Sequence, residues 1–281
     1  MASALARSSI LRPLAAALAL SALGAGPGFA ASANSLATHR AVYDLALDEA
    51  TDRSGISGIY GRMVYEFNGS ACDGFTVSFR FVTRIDTEEM SRVTDQQTTT
   101  YEDLNAGTFR FVTRSFVDER LDTETSGDAR LTDAGVEVEL EEPEERELTL
   151  SEGKFPTEHM LELIEKAKAG ERFFESRIYD GSEEGDRVML TTTVVGQLEQ
   201  PADDDEEAAR AGAFADDAYW PVTIAYFQET GTEDGTPEYQ ISFKLYENGF
   251  TRDLVMDYGD FVLTGTLAEL ETFEPQACAP Q

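Results

Sequence analysis

The residue types that carry most enzyme chemistry are scarce in this 281-residue chain, which has two His and two Cys. His39 and His159 are the two imidazoles, and each could serve as a catalytic base or as a buried hydrogen-bonding residue. Two His and two Cys are too few for a three-histidine metal site or a zinc ribbon. The sequence therefore predicts no metal site and no cofactor.

Carboxylates are the remaining catalytic option, because the chain has 54 Asp and Glu residues. Paired carboxylates, together with His39 or His159, could hydrolyse an envelope polymer. Abundance alone cannot identify such a pair, since acids lie near one another by chance in so acidic a chain. Ser151 and Lys154 match the Ser-x-x-Lys pattern, but its companion motifs Ser-Asp-Asn and Lys-Thr-Gly are missing from the sequence. We therefore expect a noncatalytic binding protein, with an envelope-directed hydrolase as the alternative.

Residues 1–33 have the pattern of a secretory signal peptide. Two arginines flank the start of an apolar run over residues 14–23, and small residues follow it. The run is too short to span a bilayer, and no later segment is long enough to do so. We expect cleavage after Ala30 or Ala33, export to the periplasm, and a mature protein without a transmembrane segment.

The two cysteines are interpreted in that compartment. An exported chain folds under oxidising conditions, so Cys72 and Cys278 are most simply a disulfide. The competing interpretation is a reactive thiol pair, although such pairs usually form Cys-x-x-Cys motifs. A disulfide would tie the far C-terminus to an early strand. We expect this bond to close the seam of a sheet that curls back on itself.

Most of the chain alternates apolar and polar residues, which is typical of half-buried strands. The hexapeptide Phe-Arg-Phe-Val-Thr-Arg occurs at 79–84 and at 109–114, with Phe on one face and Arg on the other. Asn68-Gly69 predicts a hairpin turn. The pattern favours an all-β fold in one domain, residues 34–281, with strands at 41–48, 63–67, 75–81, 90–101, 129–140, 146–151, 172–180, 186–198, 219–230, 238–247, 250–257 and 260–273.

Two segments depart from the strand pattern. Apolar residues at helical spacing predict one main helix near 157–169, with Thr157 as its N-cap and Gly170 at its end. The acidic insertion at 199–217 is long and biased in composition, and we expect it to be a solvated loop.

Charge and aromatic content narrow the choice of partner. The formal net charge is −32, which argues against a nucleic-acid partner because phosphate binding needs basic surface. The aromatic-rich apolar strands form either an ordinary core or a concave lining for a lipid-like ligand. The candidate ligand-binding residues on these strands are Tyr43, Phe79, Phe109, Trp220 and Tyr226.

Four segments, taken together with Cys72 and Cys278, carry a family resemblance. They are Thr38-His39-Arg40-Ala41-Val42-Tyr43-Asp44-Leu45-Ala46-Leu47, Phe155-Pro156-Thr157-Glu158-His159, Trp220-Pro221-Val222-Thr223-Ile224-Ala225-Tyr226-Phe227 and Leu245-Tyr246-Glu247-Asn248-Gly249. With the cysteines they resemble the EipB family of periplasmic cell-envelope integrity proteins of alphaproteobacteria, over nearly all of the mature chain.

The resemblance implies an antiparallel sheet that spirals into a broken β-barrel, and it implies the Cys72–Cys278 disulfide. It also implies a role in envelope maintenance through a periplasmic partner built of tetratricopeptide repeats. No catalytic residue is implied by the resemblance.

Overall fold

The structure is a computed structural model that describes residues 36–182, 184–229 and 235–274, together with Cys278. The chain divides into two units, Met1–Ala30 and Ala31–Gln281, and every described residue belongs to the second. The predicted signal peptide therefore lies outside the described residues. No helix among the described residues is long and apolar enough to cross a membrane.

One antiparallel sheet of 14 strands accounts for most of the described chain. Its order is β8-β7-β6-β5-β4-β3-β2-β1-β14-β13-β12-β11-β10-β9, so the first and last strands pair at its centre. The strands are β1 (His39–Ala50), β2 (Ile56–Ser70), β3 (Gly74–Thr87), β4 (Ser91–Asp103), β5 (Thr108–Val117), β6 (Arg120–Thr132), β7 (Gly135–Glu142), β8 (Arg146–Leu150), β9 (Phe173–Ile178), β10 (Met189–Val195), β11 (Tyr219–Gln228), β12 (Tyr239–Tyr246), β13 (Thr251–Asp257) and β14 (Phe261–Thr272).

The alternation in sequence sets the two faces of these strands. In β5, Phe109 and Phe111 are buried while Arg110 is exposed and pairs with Asp128 at 2.8 Å. The repeated hexapeptide therefore has the predicted faces. The predicted strands at 90–101 and beyond are confirmed with small shifts at their ends, except for 129–140, which covers the last four residues of β6 and the first six of β7.

The turn prediction at Asn68-Gly69 is wrong, because both residues lie within β2 and pair with β3. The chain turns three residues later, before Gly74, which has a φ of 81°. No strand was predicted for the first half of β6, because its residues are mostly polar and do not alternate with apolar ones.

The sheet curls into a broken barrel that encloses its apolar face. Phe75 of β3 and Val222 of β11 belong to one core cluster, although five strands separate β3 from β11 in the sheet. Such a contact requires strong curvature, which twisted antiparallel sheets supply. The barrel stays open, because β8 and β9 are edges that do not pair with each other.

Helix α1 (Pro156–Ala169) connects these two edges. It buries Leu163, Ile164 and Ala167 against the same core cluster as Phe75. The helix ends at Gly170, whose φ of 80° suits glycine and whose N–H donates to the carbonyl of Ala167. The predicted N-cap is wrong: α1 begins one residue earlier, and Thr157 is buried within the first turn.

The acidic insertion is folded and anchored, and the prediction of a solvated loop is wrong. It contains helix α2 (Glu206–Arg210) and a short 3-10 helix. Glu207 and Ala208 of α2 are buried, and α2 packs against β14. Two of its acids meet protein groups instead of water: Asp205 pairs with the buried Arg252, and Glu207 accepts from backbone N–H groups.

Cys72 and Cys278 form a disulfide whose Cα atoms lie 5.7 Å apart. Cys72 lies in the turn between β2 and β3, not on a strand. The expectation that this bond closes the seam of the sheet is wrong, since the open edges are β8 and β9. The disulfide instead holds the tail beyond β14 against the β2–β3 turn.

Candidate functional site

An apolar cavity of about 200 Å³ lies where α1 crosses the curled sheet. Its position follows from the fold, because α1 spans the gap between β8 and β9 without filling the space beneath its first turns. Aromatic and aliphatic side chains form most of the lining: Tyr65, Phe67, Val77, Met160, Leu163, Ile178, Ile224, Tyr226 and Phe243.

Both histidines of the chain line this cavity, although 120 positions of sequence separate them. His39 opens β1 and is 3% exposed. Its Nδ1 lies 2.7 Å from the carbonyl oxygen of Ala37, and its ring meets that of Phe250 edge-on at 5.5 Å. Burial lowers the pKa of His39, so the imidazole is neutral at neutral pH.

His159 reaches the cavity from the first turn of α1 and is also buried. Its Nε2 lies 3.4 Å from the hydroxyl oxygen of Thr191, which in turn donates to the carbonyl of Ser176 at 3.2 Å. Burial lowers the pKa of His159 to about 4, against a smaller opposing effect of Glu162. This second imidazole is therefore neutral as well.

The start of α1 is held by a carboxylate from another element. Phe155 precedes α1, and its side chain has no hydrogen-bond acceptor that could cap the helix. Glu102 of β4 takes that role, because its carboxylate accepts hydrogen bonds from the backbone N–H groups of Thr157 at 2.7 Å and Glu158 at 3.0 Å. Burial raises the pKa of Glu102 to about 7, although these hydrogen bonds favour the charged form.

The described residues that line the cavity include no Asp, Glu, Lys or Arg. With both imidazoles neutral, the lining carries no formal charge. Burying an unpaired charge there would be costly, so the cavity suits an uncharged apolar group. Among the described residues no group of three or more His, Cys, Asp and Glu could hold a metal ion.

The structure brings only part of the predicted set to this site. Tyr226 lines the cavity, and Trp220 lies in the core cluster that surrounds it. Tyr43 and Phe79 pack in a second cluster formed by β1 to β3 and β12 to β14, and Phe109 lies in a third around β5 to β7. These three residues are ordinary core in the structure.

Sequence reasoning missed most of the lining and also missed Glu102. Tyr65, Phe67 and Phe243 alternate with polar neighbours in the same manner as core residues elsewhere, so periodicity alone could not separate them. The sequence offered one indirect signal for a capping carboxylate. Phe155, at the N-cap of α1, has no side-chain acceptor for the first N–H groups of the helix, so another residue had to supply one.

An antiparallel sheet that curls around an uncharged apolar cavity defines a barrel-like protein with an internal cavity. The chain belongs to the EipB-like family, which matches residues 30–274. It is 55% identical over 251 residues to the cell envelope integrity protein EipB of Brucella abortus (strain 2308). The aligned region covers 89% of each chain.

A solved structure has the same fold. The crystal structure of a beta-barrel-like protein, assigned to a domain of unknown function, from Brucella abortus matches with a TM-score of 0.82 and 54% identity. The match covers 85% of this chain and 99% of that chain.

Proposed function

We propose that this protein is exported to the periplasm and supports cell-envelope integrity as a noncatalytic protein that holds an apolar envelope component in the cavity under α1. The uncharged cavity of about 200 Å³ carries the proposal, because its lining matches an acyl chain and leaves no charge to be paired. The name of the 55% identical relative, a cell envelope integrity protein, supports the cellular role. The predicted signal peptide supports the compartment.

The noncatalytic assignment rests on how the two histidines are held. His39 hydrogen-bonds a backbone carbonyl and His159 a threonine hydroxyl. No carboxylate among the described residues hydrogen-bonds either ring, so the orienting group of a catalytic base is not in place. The alternative hydrolase would need His39 or His159 together with Asp or Glu. Unchanged protection against envelope stress in His39→Ala and His159→Ala variants would count against that alternative.

We also propose, from the family resemblance, that a periplasmic tetratricopeptide-repeat protein is a partner. Phe173 of the edge strand β9 and Val194 of β10 are cross-strand neighbours on the outside of the sheet, 59% and 50% exposed. This pair offers an apolar contact that does not involve the cavity. The protein-partner interaction should therefore persist when the cavity is filled, and should weaken in a Phe173→Ser variant.

Native mass spectrometry of the gently purified periplasmic protein, with lipid extraction of the same sample, tests the cavity function. We expect a copurified apolar molecule in the wild type. Val77→Phe, which adds a ring to the cavity wall, should remove that molecule and the protection against envelope stress while the protein stays folded. Val93→Phe is the matched control, because Val93 is 42% exposed on β4.

An empty wild-type protein would overturn ligand binding and leave the partner interaction as the mode of action. Loss of protection in the Val93→Phe control would show that the added ring disturbs the fold and not the cavity. Thermal unfolding of each variant separates these outcomes.

A further inference from the structure

His39 presents an unsatisfied hydrogen-bond acceptor in the cavity. A carbonyl oxygen can only accept, so Nδ1 of His39 must carry the proton that bonds Ala37 at 2.7 Å. In a neutral imidazole the other nitrogen, Nε2, then has a lone pair and no proton. Nε2 makes no hydrogen bond within the described residues. Part of its surface remains accessible, so a ligand can reach it.

His159 shows the opposite arrangement in the same cavity. The Thr191 hydroxyl donates to the Ser176 carbonyl, so it accepts from His159, whose Nε2 must carry the proton. The Nε2 of His159 is thus used inside the protein. The unprotonated nitrogen of His159 is Nδ1, to which no described residue donates, so Nε2 of His39 and Nδ1 of His159 are the two imidazole acceptors of the cavity lining.

The cavity lining also contains tyrosine hydroxyls to which no described residue hydrogen-bonds. The hydroxyls of Tyr65 and Tyr226 make no hydrogen bond within the part of the chain that the structure describes, although both rings line the cavity. Buried tyrosine hydroxyls usually find a partner. An apolar cavity with polar groups left unpaired is the arrangement that orients a ligand through a few specific contacts.

Size and charge restrict the ligand further. At about 200 Å³ the cavity is smaller than the roughly 300–1,000 Å³ typical of drug-sized ligands, so it accommodates one chain and not a ring system with several substituents. No cationic residue of the described chain lines it, so a free carboxylate would be buried without a described cationic partner.

We propose that the cavity takes a single acyl chain that carries an uncharged hydrogen-bond donor, a hydroxyl or an amide N–H, which donates to Nε2 of His39. This inference rests on the proposed function, since it specifies the ligand of the same cavity. Chain burial supplies most of the affinity, and the donor fixes the position of the chain in the cavity.

The test measures affinities of delipidated mature protein for methyl myristate, a series of methyl hydroxymyristates that differ in hydroxyl position, and N-methyl myristamide, each by displacement of a fluorescent acyl probe. We expect at least one donor-bearing ligand to bind about fivefold tighter than methyl myristate, the range of one neutral hydrogen bond. His39→Leu should abolish this preference and still bind methyl myristate. His39→Gln keeps an acceptor at the position of Nε2 and should retain the preference.

Each outcome decides a separate question. Equal binding of methyl myristate and all donor-bearing ligands by the wild type would overturn this inference and leave the proposed function standing. A preference that survives in His39→Leu would remove His39 as the acceptor. Failure of every ligand to bind would overturn the proposed function itself. If His39→Leu does not fold, the wild-type comparison and His39→Gln still decide the question.

Discussion

Burial controls the ionisable side chains around α1. His39 and His159 have lowered pKa values and Glu102 has a raised one, in each case because the charged form loses its hydration. The two imidazoles are therefore neutral at neutral pH, whereas Glu102, with a pKa of about 7, is only partly ionised there. Neutral imidazoles distinguish the two nitrogens of each ring, which a protonated ring would not do.

The free energy of unfolding should depend on pH because Glu102 titrates at a different pH in the folded and unfolded states. Its folded pKa of about 7 exceeds its ordinary value of 4.5, so the folded state binds a proton more tightly than the unfolded state. The stabilisation that comes from this tighter proton binding is complete below pH 4.5 and is lost as the pH rises to about 7. The free energy of unfolding should fall by on the order of 3 kcal/mol over that window.

Urea unfolding of the wild type and Glu102→Gln at pH 4.5 and above pH 7 measures this contribution. The variant lacks the titration and should lose less stability on going to the higher pH. It also lacks one carboxylate oxygen, so it should be the less stable protein at low pH. Parallel pH profiles would show that Glu102 does not titrate in this window.

At the scale of elements, the acidic segment is fastened by a fully buried arginine. Arg252 is 0% exposed. Its guanidinium group donates hydrogen bonds to Asp205 at 2.8 Å and to the hydroxyl oxygen of Tyr246 at 2.7 Å. Asp205 also caps α2 by accepting from Ala208 at 2.9 Å. The pKa of Asp205 falls to about 2, because hydrogen bonds from Ala208, Arg252 and Lys244 outweigh desolvation.

Glu207 of α2 completes the attachment. Its Oε1 accepts from the backbone N–H groups of Asp253 and Leu267, where the pairing of β13 with β14 has stopped. Asp253 itself has a φ of 54°, which marks the irregularity. The segment therefore supplies hydrogen-bond acceptors to backbone donors that the sheet leaves unpaired.

Arg252→Met should lower the free energy of unfolding by about 2 kcal/mol, because it removes two charged hydrogen bonds from the largely buried Asp205 and leaves Lys244, at 3.2 Å, as its cationic partner. Arg62→Met is the matched control. Arg62 pairs with Asp44 at 2.8 Å, but both side chains are 58% exposed, so this variant should unfold at nearly the same urea concentration as the wild type. Equal losses in urea unfolding of the two variants would contradict the anchoring role of Arg252.

At the scale of the molecule, the disulfide and the β1–β14 pairing both join the N-terminal part of the chain to its C-terminal part. Strands β1 and β14 join the two halves of the sheet, and the disulfide lies just beyond them. The open edges β8 and β9 depend instead on α1 and on one bridge, in which the N–H of Lys154 donates to the carbonyl of Arg177 at 2.9 Å. The curl is thus secured covalently at its centre and noncovalently at its edges.

Removal of the disulfide should destabilise the protein through the unfolded state. The cysteines are 206 positions apart, and the chain-entropy relation for so long a loop gives up to about 5 kcal/mol. Cys72→Ser/Cys278→Ser should unfold at lower urea concentration than the oxidised wild type and at the same concentration as the reduced wild type. An unchanged midpoint would show that the bond adds nothing to equilibrium stability.

Strand content and the two sheet faces were predictable because they depend on near neighbours in sequence. Apolar and polar residues alternate within each strand, and Phe109 and Arg110 show the resulting faces directly. The C-terminal end of α1 was likewise predictable from Gly170. The polar first half of β6 escaped because its strand geometry comes from pairing with β5 and β7.

Sequence by itself determined that the chain is an acidic, antiparallel β protein with one main helix, and its motifs identified the family. Only the tertiary structure decided that His39 and His159 meet in one cavity, that Glu102 caps a helix 55 positions away, and that the acidic segment is anchored. The physical reason is that such contacts depend on strand register and on the curvature of the whole sheet. A shift of one residue in strand pairing would turn His39 of β1 and Glu102 of β4 to the opposite face of the sheet.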